Sequence, residues 1–359
     1  MQIDNDQLAL STLTVQSIKK IGMFSDIHFG AHHNSNQHNQ DCIEFIDWFI
    51  EQCKVQSVDA IGFLGDWFET RNAINILTLK HSNTALRKLN ALGLPIFFII
   101  GNHDLYHRHN REVHSADLFR EFENVHIIEE PVKVNDSLLF LPFLFNHEYS
   151  QVVNLVNASE YVFGHFEFRN FYLTGSTHVA EHGYHHKLFD GPKHIFSGHY
   201  HKRQASDNVI YIGNPFATSY ADAGDYQRGC CFLETTTGEV DFVDYDGPTY
   251  VKTRLSSLLA DEVDLRQRAR VKCVLDVEVT YSEAQTLKAE FLEAYQLREF
   301  SLEENSREQQ AALEETAMAE LDELDLSSLD ETVKKLIEAG VQATTTIDPK
   351  KLIVEYEAL

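Results

Sequence analysis

The stretch Pro95-Ile96-Phe97-Phe98-Ile99-Ile100, followed by Gly101-Asn102-His103-Asp104, decides the fold of this chain. The first six residues carry no charge and are mostly β-branched or aromatic, a pattern typical of a strand buried on both faces of a parallel sheet. In open α/β sheets, ligands bind outside the carboxyl ends of the strands. The polar turn therefore lies where chemistry is expected.

The segments around this strand predict a β-α-β-α-β order with right-handed crossovers and a parallel core. Residues 18–25 and 58–64 predict strands, and residues 41–55 and 75–92 carry apolar side chains at helical spacing. Residues 115–123 predict a further helix. Later apolar runs predict more strands, at 125–128, 132–134, 138–141, 160–165, 194–201, 209–215, 229–233 and 240–245. We expect an α/β fold of four layers, with two mixed β-sheets face to face and helices outside.

The chain of 359 residues is long enough for more than one domain. We expect an N-terminal extension over 1–17, a main domain over 18–247, a smaller α/β region over 248–300 and an acidic helical region with a terminal strand over 301–359. No apolar run approaches the roughly 20 residues of a membrane span, and the start lacks a signal-peptide pattern. Five cysteines without a Cys-x-x-Cys pair predict a reduced, cytoplasmic protein.

The net charge of −25 argues against a protein that binds nucleic acid by itself, because such binding needs a basic surface. Much of the acidic excess is local, since residues 301–330 carry ten carboxylates and one arginine. The charge therefore describes the C-terminal segment more than the surface of the main domain.

Polar residues with metal-binding side chains follow five of the predicted strands. In chain order they are Asp26, His28, Asp66, Asn102, His103, His165, His199 and His201. Carboxylate, amide and imidazole groups are ligands for divalent ions of borderline hardness, and the absence of thiolates argues against a structural zinc site. One such residue is usually a helix cap or a loop residue, but five motifs in this order predict a metal site. An aspartate after the middle strand can bridge two ions about 3.5–4 Å apart.

These motifs resemble those of the calcineurin-like metallophosphoesterases over about residues 18–246. Asp26-Ile27-His28-Phe29-Gly30, Gly101-Asn102-His103-Asp104 and Tyr211-Ile212-Gly213-Asn214-Pro215 are similar to the SbcD-type nuclease subunit of double-strand-break repair complexes. Phe163-Gly164-His165-Phe166-Glu167 and Ser197-Gly198-His199-Tyr200-His201 most resemble its tailed-phage form, a recombination endonuclease subunit. The resemblance implies a dimetal phosphoesterase domain over 18–247, a capping region over 248–300 and, for a phage protein, the host cytoplasm.

The resemblance also implies a role for each residue. Asp26, His28, Asp66 and His201 would hold one ion, and Asp66, Asn102, His165 and His199 would hold the other. Two divalent ions, Mn²⁺ first and Fe²⁺, Zn²⁺ or Mg²⁺ as alternatives, would activate water for phosphodiester hydrolysis. His103 would assist at the scissile phosphate, and Asp104 would orient a ligand.

The chain departs from the family pattern at Glu69, the position at which cellular members often carry a histidine associated with exonuclease action. The balance of exonuclease and endonuclease action therefore stays open, as does whether Glu69 points inward or outward. A phosphomonoesterase or cyclic-nucleotide phosphodiesterase of the same superfamily is the alternative function. A catalytically silent regulator of an ATPase is a third.

Basic and aromatic residues near the motifs are candidates for contacts to DNA phosphates. They are Tyr106, Arg108, Arg111, Arg169 and Arg203. The resemblance implies an SbcC-like coiled-coil ATPase as a partner, and the acidic, Leu-bearing helices over 301–340 are the expected docking element. It also implies a homodimer formed by the two early helices, although packing on the sheet explains their apolar faces equally well.

Overall fold

The computed structural model describes residues 8–174 and 178–304. The chain divides into two compact units, of which the first comprises Met1–Cys273 and Val279–Leu302. The second comprises Val274–Glu278 and Glu303–Leu359. The acidic helices were predicted to begin at residue 301, but residues 301–304 form the end of a strand, Glu299–Glu304. The rest of that region, with the predicted terminal strand, lies outside the described residues. Among the described residues, no helix is long and apolar enough to cross a membrane.

Strands dominate the first unit. In chain order the strands are β1 (Ser11–Leu13), β2 (Lys20–Phe24), β3 (Ala60–Phe63), β4 (Ile96–Ile99), β5 (Val125–Ile128), β6 (Val132–Val134), β7 (Leu138–Phe140), β8 (Tyr161–Gly164), β9 (His194–Ser197), β10 (Gln204–Ser206), β11 (Val209–Tyr211), β12 (Gly229–Glu234), β13 (Glu239–Asp244), β14 (Tyr250–Arg254), β15 (Arg270–Leu275) and β16 (Glu299–Glu304). The helices are α1 (Ala31–Asn34), α2 (Asn36–Gln56), α3 (Ile76–Asn90), α4 (Tyr149–Asn157), α5 (Leu255–Leu259) and α6 (Tyr281–Ala294), with 3₁₀ turns at Ser115–Phe119, His186–Leu188 and Tyr220–Asp222.

The main domain contains two mixed sheets. The six-stranded sheet has the order β13-β12-β2-β3-β4-β5, in which β2 to β5 are parallel and β12 is antiparallel to both of its neighbours. The seven-stranded sheet has the order β1-β6-β7-β8-β9-β11-β10, in which β7, β8, β9 and β11 are parallel. A third sheet of three strands, β14-β15-β16, forms a smaller α/β region together with α5 and α6.

The alternation of side chains along the strands explains the four layers. Phe24, Phe63 and Phe98 belong to the apolar cluster that contains α2 and α3. Phe97 instead meets side chains of the other sheet, and its ring stacks on Phe140 at 4.3 Å between centroids. A third cluster packs α4 on the opposite face of the seven-stranded sheet. The predicted fold of two mixed sheets face to face with helices outside is confirmed.

Some local predictions were wrong. Residues 115–123 form only the 3₁₀ turn Ser115–Phe119, in which Ala116 and Phe119 are buried. Because only these two side chains are buried, the turn lacks the longer apolar face that a full helix would need. The N-terminal segment contributes a strand, since β1 pairs in parallel with β6. Helix α4 and strand β10 were not predicted from the sequence.

The smaller α/β region is tied to α2 by charged groups. The Arg298 guanidinium donates to both carboxylate oxygens of Asp41, from Nη1 to Oδ2 at 2.6 Å and from Nη2 to Oδ1. Arg268 donates to Asp41 at 2.8 Å and to Glu44 at 2.7 Å. Asp41 is almost fully buried, and a buried carboxylate needs such partners. This contact holds β15 and its neighbours against the outer helix layer of the main domain.

The stacked rings between the sheets should contribute strongly to stability. Phe140 lies 4.5 Å from the ring of Phe163 as well as 4.3 Å from that of Phe97, and it is fully buried. We expect Phe140→Ala to lower the free energy of unfolding by about 3–5 kcal/mol, because it leaves a cavity. Urea unfolding measures the change. Leu118→Ala is the control, since Leu118 is exposed, and a loss for Phe140→Ala no larger than for Leu118→Ala would contradict this packing.

Candidate metal centre

The centre lies where five strand ends meet. Strands β2, β3 and β4 are parallel neighbours in one sheet, and β8 and β9 are parallel neighbours in the other. Their following loops are joined by backbone hydrogen bonds, from the Asp26 amide to the Gly65 carbonyl at 2.9 Å and from the Gly198 amide to the Gly164 carbonyl at 3.2 Å. The loops therefore carry their polar side chains to one edge of the two sheets.

Contacts between the two sheets close the site. The backbone amide of His199 lies 3.1 and 3.2 Å from the two carboxylate oxygens of Asp26. The Nδ1 atom of His165 lies 2.7 Å from the Leu64 carbonyl oxygen. Residues that are far apart in the chain thus meet within hydrogen-bonding distance.

One group of possible ligands consists of Asp26, His28 and His201. One side-chain donor atom from each lies within 4.8 Å of the others. The Nε2 atoms of His28 and His201 face each other at 3.2 Å. All three residues come from the first and fifth motifs, and the resemblance implied the same three for one ion.

A second group consists of Asp66, His165 and His199, with donor atoms again within 4.8 Å of one another. The Asn102 side-chain oxygen joins it, at 3.0 Å from His165 Nε2 and 2.9 Å from His199 Nδ1. Asp66 Oδ2 lies 3.3 Å from His165 Nε2 and 3.9 Å from His28 Nε2. Asp66 is therefore between the two groups.

The orientation of these atoms fits a bound cation. Because a carbonyl oxygen only accepts, His165 Nδ1 must donate its hydrogen to Leu64. In the neutral ring, Nε2 then presents a lone pair to the oxygens of Asp66 and Asn102. Lone pairs that face one another in a buried site require an added proton or a positive ion. The donor set can hold divalent metal ions, while the role of each residue as a ligand stays a prediction.

The pKa values of the histidines reflect how closely the polar and charged groups of the centre lie to one another. Burial lowers the pKa of His165, but the charge and hydrogen bond of Asp66, with the charge of Asp26, together outweigh burial and raise that pKa to about 9. Burial also lowers the pKa of His28, but Glu69 and Asp66 together outweigh burial and raise that pKa to about 9. Burial and the charge of His165 lower the pKa of His199 to about 3. The charges of Asp66 and Glu69 thus favour the protonated forms of His165 and His28, whereas burial favours the neutral form of His199.

Four of these residues have left-handed backbone conformations. The φ angles are 51° at Asp26, 49° at His28, 60° at Asp66 and 88° at His199. Aspartate, asparagine and histidine tolerate this region better than most residues, but it remains uncommon. Backbone strain of this kind clusters at functional sites.

Asp104 is fully buried and binds backbone rather than a histidine ring. Its Oδ2 accepts hydrogen bonds from the amides of Asp66 and Gly101, both at 3.0 Å. Its Oδ1 accepts from Trp67 at 3.1 Å and Phe68 at 3.3 Å. Asp104 therefore orients the loop that carries Asp66.

Glu69 points toward the centre, which settles the alternative that the sequence left open. Its carboxylate oxygen lies 3.0 Å from His28 Nδ1, on the side of the ring away from His201. Its backbone carbonyl accepts a hydrogen bond from His103 Nδ1 at 2.7 Å. The amide of His103 in turn donates to Asp66 Oδ1 at 2.8 Å. Glu69 thus places its carboxylate beside His28 and holds His103 with its backbone carbonyl.

Sequence reasoning missed a buried network behind His201. The Arg228 guanidinium donates to the His201 carbonyl at 3.1 Å, to Asp222 at 3.0 Å and to the Asn214 side chain. All of Arg228, Asp222 and Asn214 are almost fully buried. Asn214 lies in a motif that the sequence singled out, whereas nothing local marks Arg228.

The five residues predicted to contact DNA differ in their surroundings. Arg111 donates to both carboxylate oxygens of Glu148 and to the Phe143 carbonyl. Arg203 donates to Asp244 at 2.6 Å and lies over the ring of Phe242. These two guanidinium groups are engaged within the chain. Tyr106, Arg108 and Arg169 are exposed.

Two curated proteins are similar to this chain in sequence. Exonuclease subunit 1 of Enterobacteria phage T4 is 26% identical over 230 residues, which cover 62% of this chain and 67% of that protein. The DNA double-strand break repair protein Mre11 of Thermoplasma acidophilum is 32% identical over 106 residues, which cover 29% of this chain and 27% of that protein. These similarities confirm the predicted resemblance to SbcD-type nucleases of the metallophosphoesterase superfamily. No family model matches the chain.

A solved structure, that of a dimetal phosphatase from Danio rerio, is similar with a TM-score of 0.40 and 9% sequence identity. The alignment covers 60% of this chain and 92% of that structure.

The contact between Glu69 and His28 gives a testable prediction. A carboxylate that holds the outer nitrogen of a metal-binding histidine fixes the ring and raises its basicity. We expect Glu69→Gln to weaken binding of one Mn²⁺ ion by about 10- to 100-fold and to leave the other ion less affected. Isothermal titration with Mn²⁺ measures both affinities. Glu121→Gln, at an exposed position, is the control, and unchanged affinities in Glu69→Gln would contradict the assignment.

Proposed function

We propose that this chain is a metal-dependent DNA nuclease and the nuclease subunit of an SbcCD-like complex that processes double-strand breaks. The observation that carries the proposal is the pair of ligand groups on either side of Asp66, with His103 beside them. The phage and archaeal relatives, whose names describe an exonuclease subunit and a break-repair protein, support DNA as the substrate.

The residues of the centre would hold two divalent ions. Asp26, His28 and His201 would form one set, and Asn102, His165 and His199 would form the other. Asp66 would belong to both, since its Oδ2 lies 3.3 Å from His165 Nε2 and 3.9 Å from His28 Nε2. When bound, such ions lower the pKa of a water molecule and polarise phosphoryl oxygens. Mixed nitrogen and oxygen donors suit Mn²⁺, with Fe²⁺, Zn²⁺ and Mg²⁺ as alternatives.

His103 would act on the substrate. Its Nδ1 donates to the Glu69 carbonyl and its amide donates to Asp66, so the ring has a fixed direction. The Nε2 atom would contact the scissile phosphate. In the doubly protonated imidazolium form it would give its proton to the leaving oxygen, while Nδ1 keeps its hydrogen for the Glu69 carbonyl. The ring lies 5.0 Å from that of His28, between centroids. In this proposal His103 is a proton donor beside the ligand groups, although its donor atom also lies within 4.8 Å of those of His28 and Glu69.

A partner would supply much of the positive surface. The chain has a net charge of −25, and binding to DNA phosphates requires basic groups. We propose an SbcC-like coiled-coil ATPase that docks on the acidic segment over 301–340, and a homodimer formed through α2 and α3. Most of the docking segment lies outside the described residues.

Cleavage of DNA tests the proposed nuclease activity. With Mn²⁺, the chain should degrade labelled linear duplex or single-stranded DNA, and EDTA should abolish this activity. His103→Ala should lower the cleavage rate by about 10²–10⁴-fold, the usual contribution of a proton donor, while Mn²⁺ binding is retained. Asn102→Ala should weaken binding of one ion as well. Gel assays and Mn²⁺ titrations measure the two effects.

Three results would overturn parts of this proposal. Equal loss of metal in His103→Ala and Asn102→Ala would show that His103 is a ligand. Hydrolysis of a small phosphodiester without cleavage of DNA would favour the alternative phosphodiesterase function. Bound metal without any hydrolysis would favour a regulatory protein.

Truncation of the chain tests the proposed docking of the ATPase partner. Phe300 is buried and stacks on Phe291 at 5.2 Å between ring centroids, so a truncation must keep β16. Removal of residues 305–359 should abolish co-purification with the ATPase and leave the Mn²⁺ affinity of the centre unchanged. A point variant, Tyr281→Ala at an exposed residue of α6, should co-purify normally. Unchanged co-purification of the truncated chain would contradict docking through this segment.

A further inference from the structure

Tyr172 and Lys202 form a cation–aromatic pair next to the metal centre. The Lys202 ammonium lies 4.6 Å from the centroid of the Tyr172 ring. Lys202 directly follows His201 in the chain, and the carbonyl of Leu173 accepts a hydrogen bond from the His201 amide at 3.0 Å. Both members of the pair are therefore within one residue of a backbone contact to a proposed ligand.

The backbone of Tyr172 is held in place from both sides. Its amide donates to the side-chain oxygen of Gln204 at 2.8 Å, and its carbonyl accepts from the side-chain nitrogen of Gln204 at 2.6 Å. The Tyr172 residue nevertheless remains 41% exposed, and the adjacent Leu173 remains 39% exposed. A fixed but exposed aromatic ring loses little conformational entropy when a flat ligand stacks on it.

The charge of Lys202 is not neutralised within the part of the chain that the structure describes. Its ammonium has no carboxylate partner within 4.0 Å among residues 8–174 and 178–304, whereas the next residue, Arg203, is paired with Asp244 at 2.6 Å. An unpaired cation is notable in a chain with 55 acidic and 30 basic residues. Its position favours an anionic ligand beside the centre.

We propose that Tyr172 and Lys202 form a subsite for one unpaired nucleotide of a single-stranded nucleic acid. The base would stack on the ring face that Lys202 does not cover, and the ammonium would bind the adjacent phosphate. Aromatic stacking with a neighbouring cation is how proteins bind single strands without reading their sequence. A base inside a duplex already stacks on its neighbours with both faces, so it has no face left to stack on Tyr172. The inference rests on the proposed nuclease function and adds that the strand is unpaired beside the bond to be cut.

The test measures binding without cleavage. Fluorescence anisotropy of a labelled oligothymidylate is followed in EDTA with the full chain, for the wild type, Tyr172→Ala, Tyr172→Phe and Lys202→Met. Tyr172→Ala should weaken binding by about 5- to 100-fold, and Tyr172→Phe by less than about twofold, because the ring is kept. Lys202→Met should reduce the slope of log affinity against log salt by about 0.7, the value for one phosphate contact on a single strand. Tyr281→Ala should bind as the wild type does.

An abasic oligomer of the same length separates stacking from damage to the fold. The difference between the wild type and Tyr172→Ala should disappear on the abasic strand, because no base remains to stack. Equal losses on both strands, or no loss on either, would overturn the subsite. A wild type that neither binds nor cuts oligonucleotides, yet hydrolyses a small nitrophenyl phosphodiester, would overturn the nuclease function itself.

Discussion

The buried carboxylate of Asp104 sets the geometry on which the centre depends. Its two oxygens accept amide hydrogens from the loop after β3 and from the start of its own turn after β4. This fixes the separation of Asp66 from Asn102 and His103. Burial, followed by the charge of Asp66, raises the pKa of Asp104 to about 6. The fold thus places two carboxyl groups near each other. Burial raises the pKa of Asp66, but His165 and His28 outweigh burial and hold that pKa well below its usual range.

Glycine is needed in the same place for a different reason. A Cβ atom at residue 101 would collide with the carboxylate and amide of Asp66. Gly101 does not have a left-handed φ, so close approach, rather than a tight turn, requires the missing side chain. The loops after β3 and β4 can therefore lie directly against each other.

The sequence predicted the layers and the ligand candidates because both depend on local pattern. Apolar runs mark the strands, and the polar residues that end them must meet where parallel strands have their carboxyl ends. Other features depend on partners distant in the chain. Arg111 pairs with Glu148, Arg228 reaches the His201 carbonyl, and the direction of Glu69 follows from the turn after Asp66. The length of the 3₁₀ turn at Ser115–Phe119 also follows from tertiary burial rather than from helical spacing.

The left-handed residues of the centre restrict which substitutions can be interpreted. At Asp26, His28, Asp66 and His199, the side chain supplies a donor atom while the backbone adopts a conformation that alanine disfavours. Replacement by alanine there removes a donor and adds strain at once, so a loss of activity has two causes. Asparagine retains much of the tolerance for this conformation, and glycine retains all of it. Substitution at these positions is therefore restricted by the backbone conformation as well as by the loss of a donor atom.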